Sequence, residues 1–111
     1  MDLKNAGFTE NEEKVYTALV DLGPSLAGKI SRKTGLHRRT VYDVTETLIE
    51  KGLVGYMLEN NRRVFSAVNP QKIIDIIDEK KSMIYPFVDE LKRKFDTVRK
   101  KEQTNFYRGK N

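Results

Sequence analysis

The 111-residue sequence has no cysteine, a single histidine and three prolines. Without cysteine, the chain cannot form a disulfide, hold zinc through thiolates or use a cysteine nucleophile. It also lacks a glycine-rich phosphate loop and any carboxylate pair with metal-ligand spacing, so we expect no enzymatic activity, no cofactor and no metal site. The first residues lack the basic and then apolar pattern of a signal peptide, and no apolar run approaches the ~18 residues of a membrane span. We therefore expect a soluble, cytoplasmic protein.

The net charge of +5 is unevenly distributed along the chain. Residues 23–42 carry five lysines or arginines and no acid, and residues 90–111 carry eight against three acids. Basic zones of this kind are the electrostatic footprint of proteins that bind nucleic acids. A solvated surface is the ordinary alternative for each zone, so the position of these residues in the fold decides between the two.

Three helices are predicted in the first half of the chain. Thr9 opens a capping-box pattern, T-x-x-E, and apolar residues then recur at helical spacing until Gly23. A second, shorter helix is predicted over residues 27–34, because Gly35 is a typical left-handed stop. The stretch GLHRRTVYDVTETLIEKG, which ends at Gly52, predicts the third helix.

The third helix has an unusual charge order. Its front carries His37, Arg38 and Arg39, where the helix dipole disfavours cations, whereas the acids Glu46 and Glu50 lie towards its end. A helix shaped only by its own stability would show the reverse order. The order therefore indicates that an external anion lies near the front of this helix.

After the third helix the pattern changes to two short β-type runs, over residues 53–58 and 63–68. Asn60 and Asn61 lie between them, and asparagine tolerates the positive backbone angles of a tight turn. The sequence therefore predicts a two-stranded hairpin directly after the third helix. A third short strand near Leu26 is its expected partner.

A helix of about 30 residues is predicted from Pro70, with Asn69 as its cap. Pro86 interrupts this helix and predicts a kink or break near Met83. The apolar residues of the helix recur at nearly heptad spacing. They include Ile77, Ile84, Val88, Leu91, Phe95 and Val98.

The order helix, short strand, helix, helix, hairpin and long helix is that of a winged helix-turn-helix, so the predicted fold class is mainly α with a small β-hairpin (α+β). We expect the winged helix over residues 1–69, the long helix over residues 70–101 and a basic tail over residues 102–111. In a winged helix the front of the third helix enters the DNA major groove, and the hairpin lies along the backbone or the minor groove. The candidate DNA-binding residues are Lys29, Arg32, Lys33, His37, Arg38, Arg39, Tyr42, Asp43, Arg62 and Arg63.

Two of these candidates have alternative roles. The Tyr42 phenol can pack against the hairpin, donate to a phosphate or do both. Asp43 can accept a hydrogen bond from a cytosine amino group or orient a neighbouring arginine, and the second role is the simpler one.

The segments GFTENEEKVYTALVDLGPSLAGKISRKTGLHRRTVYDVTETLIEKGLV and RRVFSAVNP resemble the TrmB family of mainly archaeal transcription regulators. The matching features span roughly residues 6–70. They are a leading Gly-x-Thr-x-x-Glu, a Leu-Gly-Pro break, an Ala-Gly entry to the second helix, and a Val-Tyr-x-Val helix that ends in EKGLV. Winged-helix regulators of the MarR type share the outline but fit these details less well.

The resemblance implies a dimeric DNA-binding regulator whose long helix pairs with that of a second copy through the apolar seam from Ile77 to Val98. It also places recognition on five residues: His37, Arg38, Arg39, Thr40 and Tyr42. A helix that folds back on its own domain would bury the same seam. Larger family members continue into a sugar-binding effector domain, and NFYRGKN resembles its first strand. We therefore expect either a piece of a longer protein or a short member without a sensor, and no small-molecule effector site in this chain.

These observations give one functional hypothesis and one alternative. The hypothesis is a nucleoid-associated homodimer that binds double-stranded DNA sequence-specifically and regulates transcription. The alternative is a winged-helix module that mediates protein–protein contacts in the transcription machinery without sequence-specific DNA binding. The basic front of the third helix favours the first, because a protein-binding module has no need of it.

Overall fold

The computed structural model describes residues 3–109, with side chains described for residues 3–103. Its helices and single hairpin confirm the predicted fold class. A single 3-10 turn at Leu3–Ala6, which the sequence pattern did not predict, precedes the other elements. These are α1 Glu10–Leu22, α2 Ala27–Thr34, α3 Arg38–Glu50, β1 Val54–Glu59, β2 Arg62–Ala67 and α4 Gln71–Gly109.

The core of the winged helix lies where the three short helices meet. Val15 and Leu19 of α1, Ile30 of α2, and Val41 and Leu48 of α3 are each no more than 1% exposed. Within α1 and α3 these residues are four and seven positions apart, so each helix presents an apolar stripe to the others. Burial of one such side chain stabilises a fold by about 1.5–3 kcal/mol. These contacts therefore fix the face that α3 leaves exposed.

Phe65 of β2 anchors the hairpin on the helices. Its side chain is fully buried, and its ring centre lies 6.3 Å from those of both Tyr42 in α3 and Tyr56 in β1. Its backbone exchanges two hydrogen bonds with Ser25, of 2.8 and 2.9 Å. Ser25 thereby forms an isolated bridge beside β2, which confirms the short third strand predicted near Leu26.

Two asparagines close the hairpin. β1 and β2 pair antiparallel with Glu59 opposite Arg62, which leaves Asn60 and Asn61 as a two-residue turn. Their φ angles are 52° and 62°, in the left-handed region that asparagine tolerates better than most residues. The turn has the backbone that a tight hairpin requires, and the predicted hairpin is confirmed with strand ends shifted by one residue.

The chain divides into two compact units, the first ending at Asp75 and the second beginning at Ile76. The boundary thus lies inside α4, six residues beyond the one expected from the sequence. α4 begins at Gln71, whose N–H donates to the Asn69 side chain at 2.9 Å. The predicted break near Met83 does not occur, because α4 continues through Pro86. A proline removes one helical hydrogen bond while the turns on either side keep theirs.

The predicted end of the long helix at residue 101, followed by a tail or a strand, is wrong. α4 continues to Gly109. The physical reason is that no glycine or proline lies between Pro86 and Gly109, and the residues around 100–103 are good helix formers. Among the residues that the structure describes, no helix is long and apolar enough to cross a membrane.

Glu12 links the beginning of α1 to the end of α3. The Thr9 hydroxyl accepts from the Glu12 N–H at 3.1 Å, and the Glu12 carboxylate accepts from the Thr9 N–H at 2.9 Å, which confirms the capping box. The same carboxylate lies 2.7 Å from Lys51 Nζ, and this ammonium lies 5.1 Å from the ring centre of Phe8. Burial acts to raise the pKa of Glu12, but the hydrogen bonds from Lys51 and Thr9 together hold that pKa below its usual value.

The substitution Glu12→Gln is expected to lower the free energy of unfolding by about 1–3 kcal/mol at neutral pH, because Lys51 loses its charged partner. Since folding lowers the pKa of Glu12, the carboxylate stabilises the fold above its unfolded-state pKa. That stabilisation is lost as the pH falls through the folded-state pKa. Urea unfolding of the unsubstituted protein and of Glu12→Gln is measured from neutral pH down to about pH 3. The difference between their free energies of unfolding should become smaller as the pH falls.

Glu13→Gln is the matched control, because Glu13 lies on the same helix and its carboxylate has no ion pair among the described residues. Its effect is expected to stay within about 0.5 kcal/mol. Equal losses in the two variants would contradict a specific role for the Glu12–Lys51 pair.

Candidate nucleic-acid interface

A cleft of about 720 Å³ opens between the beginning of α2, the front of α3 and the hairpin. Five basic side chains from three elements line it together with a single acidic one, Glu59. The fold thus gathers cations that are far apart in the sequence onto one surface. The five are Lys29 and Arg32 of α2, Arg38 of α3, and Arg62 and Arg63 of β2.

Arg38 crosses from α3 to α2 over Gly28. A Cβ atom built on Gly28 would lie 2.7 Å from Arg38 Nη2 and 3.6 Å from Arg32 Nη1. Two guanidinium groups therefore lie within 3.6 Å of one point, although like charges repel. Only the missing side chain of Gly28 leaves room for this approach.

His37 caps the front of α3. Its Nδ1 accepts a hydrogen bond of 3.1 Å from the Arg39 N–H. In a neutral imidazole with Nδ1 as acceptor, Nε2 carries the proton and acts as a donor. The first turn of α3 contains no acid, so no carboxylate within this turn offsets the charge of Arg38 and Arg39.

Several predicted residues lie outside the lining of the cleft. Two of them are Arg39 and Asp43, which are one turn apart on α3. Asp43 lines a separate groove between α1 and α3, together with Glu10, Glu12 and Glu50. Arg38 of α3 thus lines one groove, whereas Asp43 and Glu50 of the same helix line another. The remaining predicted residues outside the cleft lining are Lys33, His37 and Thr40.

Arg63 has partners within the protein that the sequence did not predict. Its guanidinium donates to the Glu46 carboxylate of α3 and lies 4.4 Å from the ring centre of Tyr56. The hydrogen bond to Glu46 raises the pKa of Arg63. Because neighbouring strand residues point to opposite faces, Arg62 faces away from this cluster. The two arginines, expected to act alike at the hairpin tip, therefore have different surroundings.

Tyr42 packs against the hairpin and is partly exposed. Its side chain remains 45% exposed, yet its ring packs edge-on against Phe65. It also lines the cleft together with Arg38, which precedes it by one helical turn. The phenol is therefore held in place while it stays accessible.

The family whose sequence profile is described as "Sugar-specific transcriptional regulator TrmB" matches residues 3–71. The chain belongs to the TrmB family. It is 32% identical over 77 residues to TrmBL1, an HTH-type sugar sensing transcriptional regulator of Pyrococcus furiosus. The matched segment covers 69% of this chain and 22% of TrmBL1. It is 40% identical over 50 residues to the uncharacterized protein YrhO of Bacillus subtilis. This match covers 45% of this chain and 18% of YrhO. The chain thus spans about a fifth of the length of these relatives.

Solved structures confirm the winged-helix fold of this TrmB-family chain. TrmBL2, an archaeal chromatin protein, superposes with a TM-score of 0.73 at 17% identity, over 86% of this chain and 37% of that one. A MarR family regulator from Silicibacter pomeroyi DSS superposes with a TM-score of 0.55 at 14% identity. The superposition covers 79% of this chain and 55% of that regulator. At such identities the likeness concerns the fold alone.

Sequence reasoning missed the part that Gly28 and Glu46 play in this TrmB-family domain. A glycine in the first turn of a helix is a weak signal, although its lower helix propensity hints at a close approach. Glu46 is an ordinary acid on an exposed helix face, and nothing in the sequence pairs it with Arg63. Both roles depend on contacts between elements.

The substitution Gly28→Ala is expected to displace the Arg38 guanidinium, because the new Cβ would meet Nη2 at 2.7 Å. The displaced atom ends a flexible side chain, so the fold should survive and even gain up to about 1 kcal/mol from the better helix propensity of alanine. Nitrogen-resolved NMR of the arginine Nε–H group of Arg38, with thermal unfolding, measures both effects.

Gly55→Ala is the control, since a Cβ on Gly55 meets nothing within 4 Å. The Arg38 resonance should stay unchanged in this variant. An unchanged Arg38 resonance in Gly28→Ala as well would contradict the close packing of Arg38 on α2.

Proposed function

We propose that this chain binds double-stranded DNA sequence-specifically, as a homodimer, and thereby regulates transcription. The observation that carries the proposal is the cleft in which five basic side chains meet beside the front of α3. Membership of a family of transcriptional regulators supports it, as does the description of TrmBL2 as an archaeal chromatin protein with a novel mode of DNA binding.

The cleft suits the phosphate backbone of a duplex. Phosphates neutralise clustered cations that otherwise repel one another, and the release of condensed counterions from DNA favours the exchange. In the proposed complex, Lys29, Arg32 and Lys33 of α2 contact the backbone on one side of the groove. Arg62 contacts the backbone or the minor groove from the hairpin.

The front of α3 then reaches the base edges of the major groove. Arg38 and Arg39 supply the donors that suit guanine O6 and N7. His37 presents Nε2–H as a further donor, and Thr40 lies within the same first turn. Their exposure and their position at the amino end of the helix support this assignment.

Three neighbouring residues take supporting roles in the proposal. Asp43 follows Arg39 by one turn, so the carboxylate can orient the guanidinium by an i, i+4 contact. Tyr42 donates its hydroxyl to a phosphate from a ring held by Phe65. Arg63 joins the hairpin to α3 through Glu46, which leaves Arg62 for DNA.

The homodimer is supported by the apolar face of α4. Within the second unit, its large apolar side chains are between 41% and 65% exposed at five of the seam positions. A contiguous exposed apolar face of this kind marks an interaction site, and heptad spacing suits a second helix with the same pattern. The five are Ile77, Ile84, Leu91, Phe95 and Val98.

Mobility shifts on a duplex selected from a random pool, repeated across a salt series, test the DNA-binding proposal. Binding is expected to weaken steeply as salt rises, because phosphate contacts release counterions. Arg39→Ala should weaken binding by about 1–3 kcal/mol on the selected site and less on other sequences if it reads guanine. Arg62→Ala should weaken binding to all sequences and lower the salt slope by about one.

Lys14→Ala is the matched control, because it removes one exposed cation of α1 that is outside the cleft lining. It should leave the affinity nearly unchanged. No retardation at low salt, or an affinity indifferent to salt, would refute DNA binding and favour the protein-interaction alternative.

A further inference from the structure

The seam of α4 has a regular heptad assignment. Ile77, Ile84, Leu91 and Val98 recur every seven residues and take position d. Position a falls on Lys81, Val88, Phe95 and Glu102, so the uninterrupted apolar stretch of the seam runs from Ile84 to Val98. Position f, on the far side from the seam, falls on Pro86, so the proline lies where a partner helix would not touch it. The residues that flank the seam at positions e and g are Asp78, Lys80, Tyr85, Phe87, Lys92, Lys94, Arg99 and Lys101.

The charges of this helix are divided between its two halves. Residues 76–90 carry four acids and two lysines, a net charge of −2, whereas residues 91–103 carry six basic residues and two acids, a net charge of +4. A parallel pair of helices would place +4 beside +4. An antiparallel pair would place each acidic half beside the basic half of the other copy.

We propose that two copies of α4 pair antiparallel, with Val88 of each packed against Leu91 of the other. This inference rests on the proposed homodimer and specifies its geometry. The register carries Ile84 opposite Phe95 of the second copy, so large apolar side chains meet on both sides of the two-fold axis. In antiparallel coiled coils, position a of one helix shares a layer with position d of the other, as here.

The flanking residues favour this orientation. Antiparallel pairing matches e with e and g with g, which brings Asp78 beside Arg99 of the second copy. It also brings Tyr85 beside Lys92 and Phe87 beside Lys94, but a parallel pair brings Lys80 beside Tyr85 and Phe87 beside Lys92, so the cation–π contacts are equal in the two orientations and the Asp78–Arg99 pair makes the difference.

Each orientation of the two helices brings one kind of like-charged pair together at the flanking positions. In the antiparallel pair Lys80 meets Lys101 of the second copy, and Glu79 is adjacent to Lys80 in the chain. In a parallel pair Lys94 meets Arg99 on both sides of the seam, and Asp78 loses its partner.

The antiparallel pair also separates the two points at which the winged helices join α4. Ile76 of each copy would lie opposite residue 103 of the other, so the two Ile76 residues would be ~40 Å apart along the axis at ~1.5 Å per residue. A parallel pair would hold them about 10 Å apart.

The absence of cysteine from the chain permits a direct test with single spin labels. Glu79→Cys and Asp89→Cys place a label on the side of α4 away from the seam, near one end and near the middle of the proposed pair. Pulsed electron resonance on the full chain without DNA measures the distance between the two labels of a dimer. Light scattering of each labelled variant records its oligomeric state.

The antiparallel pair predicts about 35 Å between labels at position 79 and about 20 Å or less at position 89. A short distance at both positions would establish a parallel dimer and overturn this inference, while the proposed homodimer would stand. A single chain by light scattering, with no measurable distance at position 89, would overturn both. DNA binding is judged separately by the mobility shifts.

Discussion

Positive charge at the amino end of a helix is locally unfavourable, and α3 carries two arginines and no acid in its first turn. The fold increases this cost, because Arg38 and Arg32 approach a common point over Gly28. A surface that holds cations together against their repulsion is stabilised by a polyanion. The concentration of basic groups in one cleft, with Asp43 and Glu50 of α3 lining another groove, is therefore the constraint from which the proposed function follows.

The buried framework behind this surface fixes its shape. Phe65 connects the hairpin to α3 through its ring and to the Ser25 segment through its backbone. Glu12 connects the beginning of α1 to the end of α3 through Lys51. The two ends of α3 are thus held by different contacts, one towards the hairpin and one towards α1. The proposed role of α3 in DNA recognition needs this rigidity, because side chains that read a duplex must meet it in a fixed register.

The sequence predicted those features of the fold that depend on neighbouring residues. The capping box at Thr9, the left-handed stop at Gly35 and the asparagine turn of the hairpin each rest on the local chemistry of a few residues. The placement of the basic groups of α2, α3 and β2 beside one another was also predictable, because the winged-helix order fixes it. The end of α4 was not, because the basic composition after residue 101 does not by itself stop a helix.

Contacts between elements account for what the sequence could not predict. The approach of Arg38 to Gly28 depends on the crossing of α2 and α3, and the pairing of Arg63 with Glu46 depends on how the hairpin lies against α3. Both contacts distinguish residues that the sequence treats as equals. Arg62 and Arg63 are neighbours of the same type, yet only Arg63 donates to an acid of α3. The proposed orientation of two paired α4 helices likewise depends on which charges meet across two chains.

In the proposed complex, one face of the winged helix receives a duplex. Titration of isotope-labelled protein with a selected duplex, followed through its backbone amide resonances, tests it most directly. The largest shifts are expected in α2, the first turns of α3 and the turn at Asn60–Asn61. Shifts concentrated instead in the acidic groove between α1 and α3 would contradict it.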